Sequence, residues 1–336
     1  MNRAPFWWVV LSCLALSACS RSAASPPQGY EVSELRYEGN AGYVSPAELA
    51  EDLGFLAPLK LHYAGNNSTG GPHSIAAVLS GDLDFGSSFN GAIIKLVNTK
   101  APIRSVVAAY GTDEKQLQGF YVLEDSPIRS PRHLVGKKVS VNTLGAHVEF
   151  ALKEYMVRNG FTPEDVRQVT MVVTPSINGE MALREKRVDV AALGLIFRIK
   201  ALERGGIRPL FTDQELFGTF NAGSYVMSQK FIAAHPKAAR KFVDAVGKAI
   251  DWSREHSQDE VIARMEAIVK KRKRNEDATP VRSWRSFGVS SPGGRLQDRD
   301  FQLWIDWLVR DGQLPAGKLK ASDVYATQLQ AGGENS

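Results

Sequence analysis

Cysteine is almost missing from this 336-residue chain, and its two copies, Cys13 and Cys19, both lie among the first twenty residues. A fold stapled by disulfides and a metal site built from paired cysteines are therefore excluded. The six histidines form no H-E-x-x-H motif, and the sequence contains no G-x-x-x-x-G-K-[ST] loop. These absences exclude a metalloprotease of that type and an ATPase that uses such a loop.

Long apolar runs are also missing after the N-terminus, so the chain cannot supply several membrane spans. The remaining composition, 43% hydrophobic and 23% charged, is that of an ordinary globular protein. One hydrophobic core stops growing at roughly 250–300 residues, which favours two compact units. The net charge of +5 helps to collect anions but is too small to indicate nucleic-acid binding.

The N-terminus has the pattern of an export signal. Asn2 and Arg3 form a short positive start, and an apolar stretch runs from Phe6 to about Ala18. It closes with Leu-Ser-Ala-Cys at residues 16–19, which resembles the lipobox of bacterial lipoproteins. We expect residues 1–18 to be a signal peptide, Cys19 to carry lipid and residues 19–32 to form a tether in the periplasm. A soluble secreted protein that is cleaved nearby is the alternative.

Strand and helix patterns alternate through the body of the chain. Residues 35–37 and 59–63 have the pattern of strands, residues 72–80 that of a helix and residues 83–86 that of a strand. Between the first two strands, Ser45 is followed by Pro46 and, three positions after the serine, by Glu48, which predicts a capped helix start. The alternation predicts an α/β architecture with largely parallel strands.

One ten-residue pattern occurs twice, at residues 77–86 and 182–191. Each copy has the pattern of a helix end, a tight connection and a strand entered through a hydrophobic residue and aspartate, at Asp84 and Asp189. The repeat predicts two similar α/β units. From about Gly223 the pattern changes to helices at 228–256, 258–272 and 298–311, which we expect to pack back on the first unit.

Three segments together carry a family resemblance: residues 79–86 (LSGDLDFG), residues 125–139 (from DSPI to LVGKKV) and residues 231–236 (FIAAHP). In order and spacing they resemble the substrate-binding proteins of nitrate, sulfonate and taurine ABC importers, a family that also includes thiamine-precursor binders. The resemblance implies a type II periplasmic binding protein with two lobes, each a sheet flanked by helices, and a ligand in the cleft. Lobe 1 would span 33–116, lobe 2 would span 117–222, and residues 223–336 would return to lobe 1.

The same resemblance implies the partners of the protein. A small organic anion would be its ligand, and the permease and ATPase of the importer would be separate chains. The membrane would be contacted through the lipid anchor. We expect a monomer that binds no nucleic acid and has no cofactor, no metal and no catalytic residue.

Helix starts that follow the carboxyl ends of strands present free N–H groups and a positive dipole end, which suit an anion. Glycines before two such starts would let the backbone approach the ligand, and small neutral side chains nearby would donate hydrogen bonds. These glycines are Gly70, Gly71 and Gly145, and the donors are Asn40, Thr69, Ser87, Ser88, Asn90 and Thr143. The alternative is that these residues only form turns and caps.

Four further positions complete the predicted site. His147 lies in a helix turn that the family often uses for ligand contact, although a lone histidine is often structural. Tyr43 would form an apolar wall or belong to the core, and Tyr225 would line the hinge. Many relatives carry Trp-Asp-Pro-Tyr after the second hydrophobic–Asp strand, whereas this chain has Leu195 at the acidic position. An ammonium group would lack its partner there, which favours a ligand with an apolar tail.

The sequence therefore favours an aliphatic or aryl sulfonate, or a sulfate ester, as the ligand. Nitrate, taurine and thiamine precursors remain alternatives within the family. A binding protein coupled to a membrane sensor also remains open. An enzyme similar to the yeast pyrimidine synthase of thiamine biosynthesis is disfavoured, because that enzyme needs a cysteine-rich iron loop.

Overall fold

The structure is a computed structural model that describes residues 26–67 and 70–330. Strands and helices alternate through both lobes, as predicted. The strands are β1 Glu34–Gly39, β2 Lys60–Asn66, β3 Gly86–Phe89, β4 Ile103–Thr112, β5 Gln118–Leu123, β6 Lys138–Val141, β7 Thr170–Val173, β8 Val190–Gly194, β9 Ile207–Thr212 and β10 Phe220–Ser228. The helices are α1 Pro46–Asp52, α2 Gly71–Ser80, α3 Asn90–Asn98, α4 His147–Arg158, α5 Pro163–Arg167, α6 Gly179–Arg184, α7 Leu195–Arg204, α8 Asp213–Phe217, α9 Gln229–Ala234, α10 Pro236–Glu255, α11 Gln258–Lys271 and α12 Arg299–Arg310.

The strands form one sheet in each lobe, and the two sheets have equivalent strand orders. In lobe 1, β1 and β2 pair in parallel, and β10 lies between β3 and β4. Backbone N–H groups of Asp84 and Phe85 donate to Arg36 in β1 and join these two pieces, which gives the order β2-β1-β3-β10-β4. The five strands of lobe 2 have the order β7-β6-β8-β5-β9. Each strand of one lobe thus has a counterpart in the other, and the fold is the predicted α/β type.

The repeated hydrophobic–Asp pattern has the same structural role in both lobes. Asp84 accepts the backbone N–H of Arg36 at 2.7 Å, and Asp189 accepts the backbone N–H of Lys138 at 2.8 Å. In return, the N–H groups of both aspartates donate to the carbonyls of the same two residues. Each aspartate therefore fastens one strand to the first strand of its lobe. Strand β3 starts only at Gly86, later than predicted, because residues 84–85 take part in this contact.

Helices cover both faces of the lobe-2 sheet. Along β5, Phe120 and Val122 pack into one hydrophobic cluster, whereas Tyr121 packs into a second cluster on the opposite face. This alternation follows from the two-residue period of a strand, and burial of both faces is usual for sheets with parallel strands.

Two segments cross between the lobes, from β4 to β5 and from β9 to β10. Strand β3 ends at Phe89, opposite Gly223 near the crossover end of β10. Strand β8 ends at Gly194, opposite Gln118, the first residue of β5. The parallel strands of both lobes therefore direct their carboxyl ends toward the crossovers, on the two sides of one cleft.

Some predicted boundaries differ from the structure. The first predicted lobe boundary, between 116 and 117, falls in the crossover, but the second, between 222 and 223, falls inside β10. All of β10 except its last residue is buried, so it lacks the polar alternation that marks a half-exposed strand. The predicted helix 228–256 is divided into α9 and α10 at Pro236, because proline lacks the N–H that would continue the first helix.

Part of the predicted tether belongs to the folded protein. The carboxylate of Glu31 accepts the backbone N–H groups of Lys237 and Ala238 at 3.2 and 3.1 Å, and so caps the start of α10. Residues 19–25 of the tether, Cys19 among them, and the predicted signal peptide lie outside the described residues. No helix in residues 26–67 or 70–330 has the length and apolar character that a membrane span requires.

Candidate ligand-binding cleft

The start of α2 provides backbone donors on the lobe-1 side of the cleft. Gly70, the residue before the helix, has a φ of 89° and, as a glycine, offers no side chain to cap the first turn. Among the described residues, no side chain accepts the N–H groups of that turn, which lie at the positive end of the helix dipole. The N–H of Gly70 donates to Asn67 Oδ1 at 2.8 Å, which fixes the preceding loop.

Ser88 lies directly against this helix start. It is 3% exposed, and its Oγ has no hydrogen-bond partner among the described residues. A Cβ on Gly71 would lie 2.9 Å from both Cα and Cβ of Ser88, closer than real Cβ atoms come, so only glycine fits there. A buried hydroxyl without a partner costs about 1–3 kcal/mol. An acceptor bound at the start of α2 would remove that cost.

Two tyrosines add neutral donors near the same edge. Tyr43 follows β1, and Tyr110 lies near the crossover end of β4. Burial raises the pKa of both phenols. Glu48 raises the pKa of Tyr43 further, and Tyr43 raises the pKa of Tyr110 further. Both therefore stay protonated at physiological pH and can donate to an anion. Sequence reasoning missed Tyr110, whose one visible signal is its place before Gly111 at the end of a strand.

The start of α4, predicted to face the ligand from lobe 2, is already occupied by a carboxylate. Gly145 has a φ of 72°, and its N–H donates to Glu149 Oε2 at 2.7 Å. Burial alone would raise the pKa of Glu149, but the hydrogen bonds from Gly145 and Lys153 bring it below its usual value. Lys95 of lobe 1 lies near this carboxylate. The chain itself therefore supplies an anion at this helix start.

His147, the first residue of α4, contacts the segments that cross between the lobes. Its Nε2 lies 2.7 Å from Oδ2 of the fully buried Asp213, and its Nδ1 is buried without a partner in the part of the chain that the structure describes. Asp213 also accepts Thr112 Oγ1 at 2.8 Å and the backbone N–H of Gln118 at 2.9 Å. Thr112 ends β4 and Gln118 begins β5, so Asp213, the first residue of α8, joins both ends of the first crossover to α4.

The start of α7 is the uncapped counterpart in lobe 2. Gly194 precedes it without a side-chain cap, and Leu195, its first residue, has a φ of 50° and is 48% exposed. A leucine in this left-handed region is strained, and such strain concentrates at ligand-binding sites. The helix also contacts the short helix Thr279–Ser283 of lobe 1 across the cleft.

Large hydrophobic side chains are exposed along the carboxyl edge of the lobe-2 sheet. They end β7 or follow β6, β7 and β8, are between 48% and 72% exposed, and comprise Leu144, Val173, Ile177, Met181 and Leu195. We call these five residues the apolar rim. Because exposed apolar groups that cluster on one edge favour contact with other apolar groups, the rim suits the hydrocarbon part of a ligand.

A buried charge network holds the loop between β1 and α1. Arg272 Nη1 lies 2.9 Å from Glu48 Oε1 and donates to the carbonyl of Tyr43 at 3.0 Å. Glu276, paired with Arg272 at 2.5 Å, accepts the backbone N–H of Gly42 at 2.6 Å. The basic run at 270–274, which its composition marks as a solvated helix end, is therefore partly buried. Glu276 lies only four residues after Arg272, whereas Glu48 lies more than two hundred residues earlier and could not be paired with the run from the sequence.

The other predicted contacts have structural partners or lie at the edges of the site. Asn90 is fully buried and bonds Ser224, the carbonyl of Asn221 and the carbonyl of Asp300. Tyr225 is 5% exposed, and its hydroxyl accepts the N–H of Ala47 at 3.4 Å, so it packs in the lobe-1 core rather than in the hinge. Ser87 faces Tyr225 on β10, Asn40 and Thr143 lie in the loops after β1 and β6, and Thr69 lies outside the described residues.

A family profile described as NMT1/THI5 like matches residues 43–260, which is more than half of the chain. The chain belongs to this family. A search among curated proteins found no match. Solved structures similar to this NMT1/THI5-like chain include three named binding proteins. The aliphatic sulphonate-binding protein SsuA of Escherichia coli is 18% identical, with a TM-score of 0.67 over 90% of this chain and 95% of its own.

The alkanesulfonate-binding protein SsuA of Xanthomonas axonopodis, solved with MOPS bound, is 17% identical, with a TM-score of 0.66 over 88% of this chain and 98% of its own. The nitrate-binding protein NrtA of Synechocystis is 14% identical, with a TM-score of 0.65 over 89% of this chain and 88% of its own. At these identities the similarity establishes the fold. The NMT1/THI5-like chain has the two-lobe periplasmic binding protein fold that the resemblance implied.

The charge network gives a first testable prediction. Arg272→Met should lower the free energy of unfolding by about 3 kcal/mol, because removal of one member leaves the buried carboxylates of Glu48 and Glu276 without their partner. Lys271→Met is the matched control, since its side chain is 80% exposed, and it should unfold like the wild type. Urea denaturation followed by circular dichroism measures both. Equal stability of the two variants would show that the network does not stabilise the loop.

Proposed function

We propose that this protein is the solute-binding component of an ABC importer and captures a small organic anion, an aliphatic or aryl sulfonate or a sulfate ester. The observation that carries this proposal is the uncapped start of α2 with the buried, unpartnered hydroxyl of Ser88 beside it. A permanently charged sulfonate needs hydrogen bonds and a positive dipole end and needs no proton transfer. Neutral phenols at Tyr43 and Tyr110 would complete the set of donors.

The hydrocarbon part of the ligand would lie against lobe 2. The apolar rim offers methyl and methylene groups there, and Leu195 stands at the start of α7, where an acid would be needed to hold an ammonium group. This arrangement favours alkyl and aryl sulfonates over taurine and over nitrate, which has no apolar part. Binding proteins for aliphatic sulphonates and for nitrate share this fold, so the choice between them rests on the rim and on Leu195.

Two candidate functions compete with import. A binding protein that signals to a membrane sensor would use the same cleft, and only its partner would differ. A metal-dependent enzyme would need side chains placed to hold the ion, and in residues 26–67 and 70–330 no group of three or more His, Cys, Asp or Glu side chains is so placed. The unpartnered donors favour binding of an anion over a reaction on it.

We also propose that Cys19 carries lipid and holds the protein at the membrane. The apolar stretch before it and the Leu-Ser-Ala-Cys pattern support this. Thioether-linked and amide-linked acyl chains together anchor a protein stably, since each buried CH₂ contributes about 0.8 kcal/mol.

Substitution of Ser88 tests the anion site. In Ser88→Ala the affinity for butanesulfonate should fall about ten- to a hundredfold, because a hydrogen bond to a charged group contributes about 1.5–3 kcal/mol. The melting temperature without ligand should not fall, since the hydroxyl has no partner to lose. Isothermal titration calorimetry and thermal unfolding measure the two quantities.

The chain offers a matched control for this test. Ser105, in β4, is fully buried and its Oγ also has no partner, but it lies far from the crossover end of that strand. Ser105→Ala should therefore keep the wild-type affinity. Equal affinities of the wild type and Ser88→Ala would show that the anion does not bind at the start of α2.

Substitution of Leu195 tests the preference for an apolar tail. The wild type should bind butanesulfonate more tightly than taurine, and Leu195→Asp should narrow or reverse this order by roughly five- to a hundredfold, because the carboxylate favours the ammonium. Aspartate tolerates the left-handed backbone better than leucine does, so the variant should fold.

Leu202→Asp is the control for this variant, since Leu202 lies on the same helix and is 39% exposed. Titration of both ligands into wild type and both variants gives the affinity ratios. If Leu195→Asp keeps the wild-type ratio, Leu195 does not contact the ligand and the argument against taurine fails.

Substitution of Cys19 tests the anchor. Cys19→Ser should abolish incorporation of a radioactive fatty acid and leave ligand affinity unchanged. Cys13→Ser should still be labelled, because residue 13 lies in the segment that cleavage would remove. Metabolic labelling of the three proteins decides the matter, and an unlabelled wild type would refute lipidation.

A further inference from the structure

A cavity of about 920 Å³ lies at the pole of lobe 1 that is far from the cleft. Its lining includes Arg104, at the start of β4, and Gln229, directly after β10. The crossover end of β4, at Thr112, is about 26 Å away along the strand at roughly 3.3 Å per residue. The cavity is therefore separate from the proposed ligand site, and we call it the polar cavity of lobe 1.

Positive charge dominates the polar cavity of lobe 1. Arg104, Lys237, Arg240 and Lys241 line it, against one acid, Asp244. Among residues 26–67 and 70–330, no carboxylate lies within ion-pair distance of Arg104, Lys237 or Lys241. These three cations are thus available to an anion that enters the cavity.

The guanidinium of Arg104 is also held in place. It donates to the carbonyl of Ile103 at 2.7 Å, and a Gln229 amide turned to present its oxygen accepts from both of its terminal nitrogens at 2.5 and 2.9 Å. Glu31 adds one negative charge nearby, but its carboxylate is directed at the backbone N–H groups that start α10. The lysine ammonium groups remain the flexible part of the cavity wall.

The chain enters the fold at the same place. Gly29 and Tyr30 form part of the cavity lining. The seven residue-to-residue steps from Cys19 to Pro26 can span at most about 25 Å when fully extended. A lipid on Cys19 would therefore hold this pole of lobe 1 close to the membrane surface.

We propose that the polar cavity of lobe 1 binds the phosphate headgroup of an anionic phospholipid, so that the anchored protein rests on the membrane with this pole and leaves the cleft free. Its cations complement the headgroup charge, and Ile232, Ala233 and Leu329 provide apolar wall for the glycerol part. The orientation rests on the proposed lipid at Cys19, whereas the headgroup site rests on the cavity alone.

Vesicle binding by the mature chain without its lipid tests this proposal. Residues 19–336 carrying Cys19→Ser should sediment with vesicles of phosphatidylglycerol and phosphatidylcholine and not with phosphatidylcholine alone. A Lys237→Gln and Lys241→Gln double variant should bind the anionic vesicles about thirtyfold more weakly, since each basic residue near such a surface contributes about fivefold. The control double variant, Lys248→Gln and Lys270→Gln, removes the same charge from exposed positions outside the cavity and should bind like the parent.

Each other outcome contradicts the proposal. Absence of binding to anionic vesicles, or equal losses in the two double variants, would show that the cavity has no special role. Displacement by inorganic phosphate, but not by chloride at the same ionic strength, would show a site for free phosphate rather than a membrane surface. Butanesulfonate titration of the same variants separates this result from the proposed function, because both double variants should keep the parent affinity.

Discussion

The fully buried carboxylate of Asp213 is the contact on which the arrangement of the two lobes depends. It lies where β9 ends and binds three groups: the hydroxyl of Thr112, the backbone N–H of Gln118 and the imidazole of His147. A buried charge is tolerated only when such donors surround it. The first crossover, α4 and α8 are therefore held together by one carboxylate.

Aromatic packing extends this fixed edge across the lobe boundary. Phe150, on the lobe-2 helix α4, is 1% exposed and packs into the lobe-1 core. The centroid of its ring lies 3.8 Å from the ring centroid of Trp307 and 5.4 Å from that of Trp304. Arg310 on α12 pairs with Glu154 on α4. Side chains of the two lobes therefore pack together at this edge of the cleft.

Local patterns predicted the parts of the fold that depend on neighbouring residues. The capping box at Ser45 and Glu48 is present as predicted, and the repeated aspartates Asp84 and Asp189 fasten equivalent strands in the two lobes. The capping box and the repeated pattern could be predicted because each is written within a few residues of sequence, whereas the strands that the two aspartates fasten lie about fifty residues away and were not predicted. The paired donors at the start of α2 could be predicted only in part, since the glycines are visible but the contact of Gly71 with Ser88 is not.

Features that depend on a distant partner or on a side-chain rotamer could not be predicted in this way. Arg272 and Arg274 form part of a charged run in the sequence, but both pair with Glu48, more than two hundred residues earlier. The start of α4 has the pattern of an anion site, yet Glu149 on its own first turn takes the N–H of Gly145. Side-chain rotamers and long-range pairs decide both cases, and neither is encoded in a local pattern.

Capture of the ligand between the two lobes is the central claim, and an inter-lobe distance measurement tests it most directly. Spin labels would be attached at Ser80→Cys in lobe 1 and at Glu185→Cys in lobe 2, in the mature chain that carries Cys19→Ser. Double electron–electron resonance spectroscopy would then measure the distance between the two labels. Both positions are exposed. Saturating butanesulfonate should shift the distance distribution to a shorter and narrower form. An unchanged distribution, with calorimetry showing that the ligand is bound, would mean that one lobe holds it alone and would contradict the account.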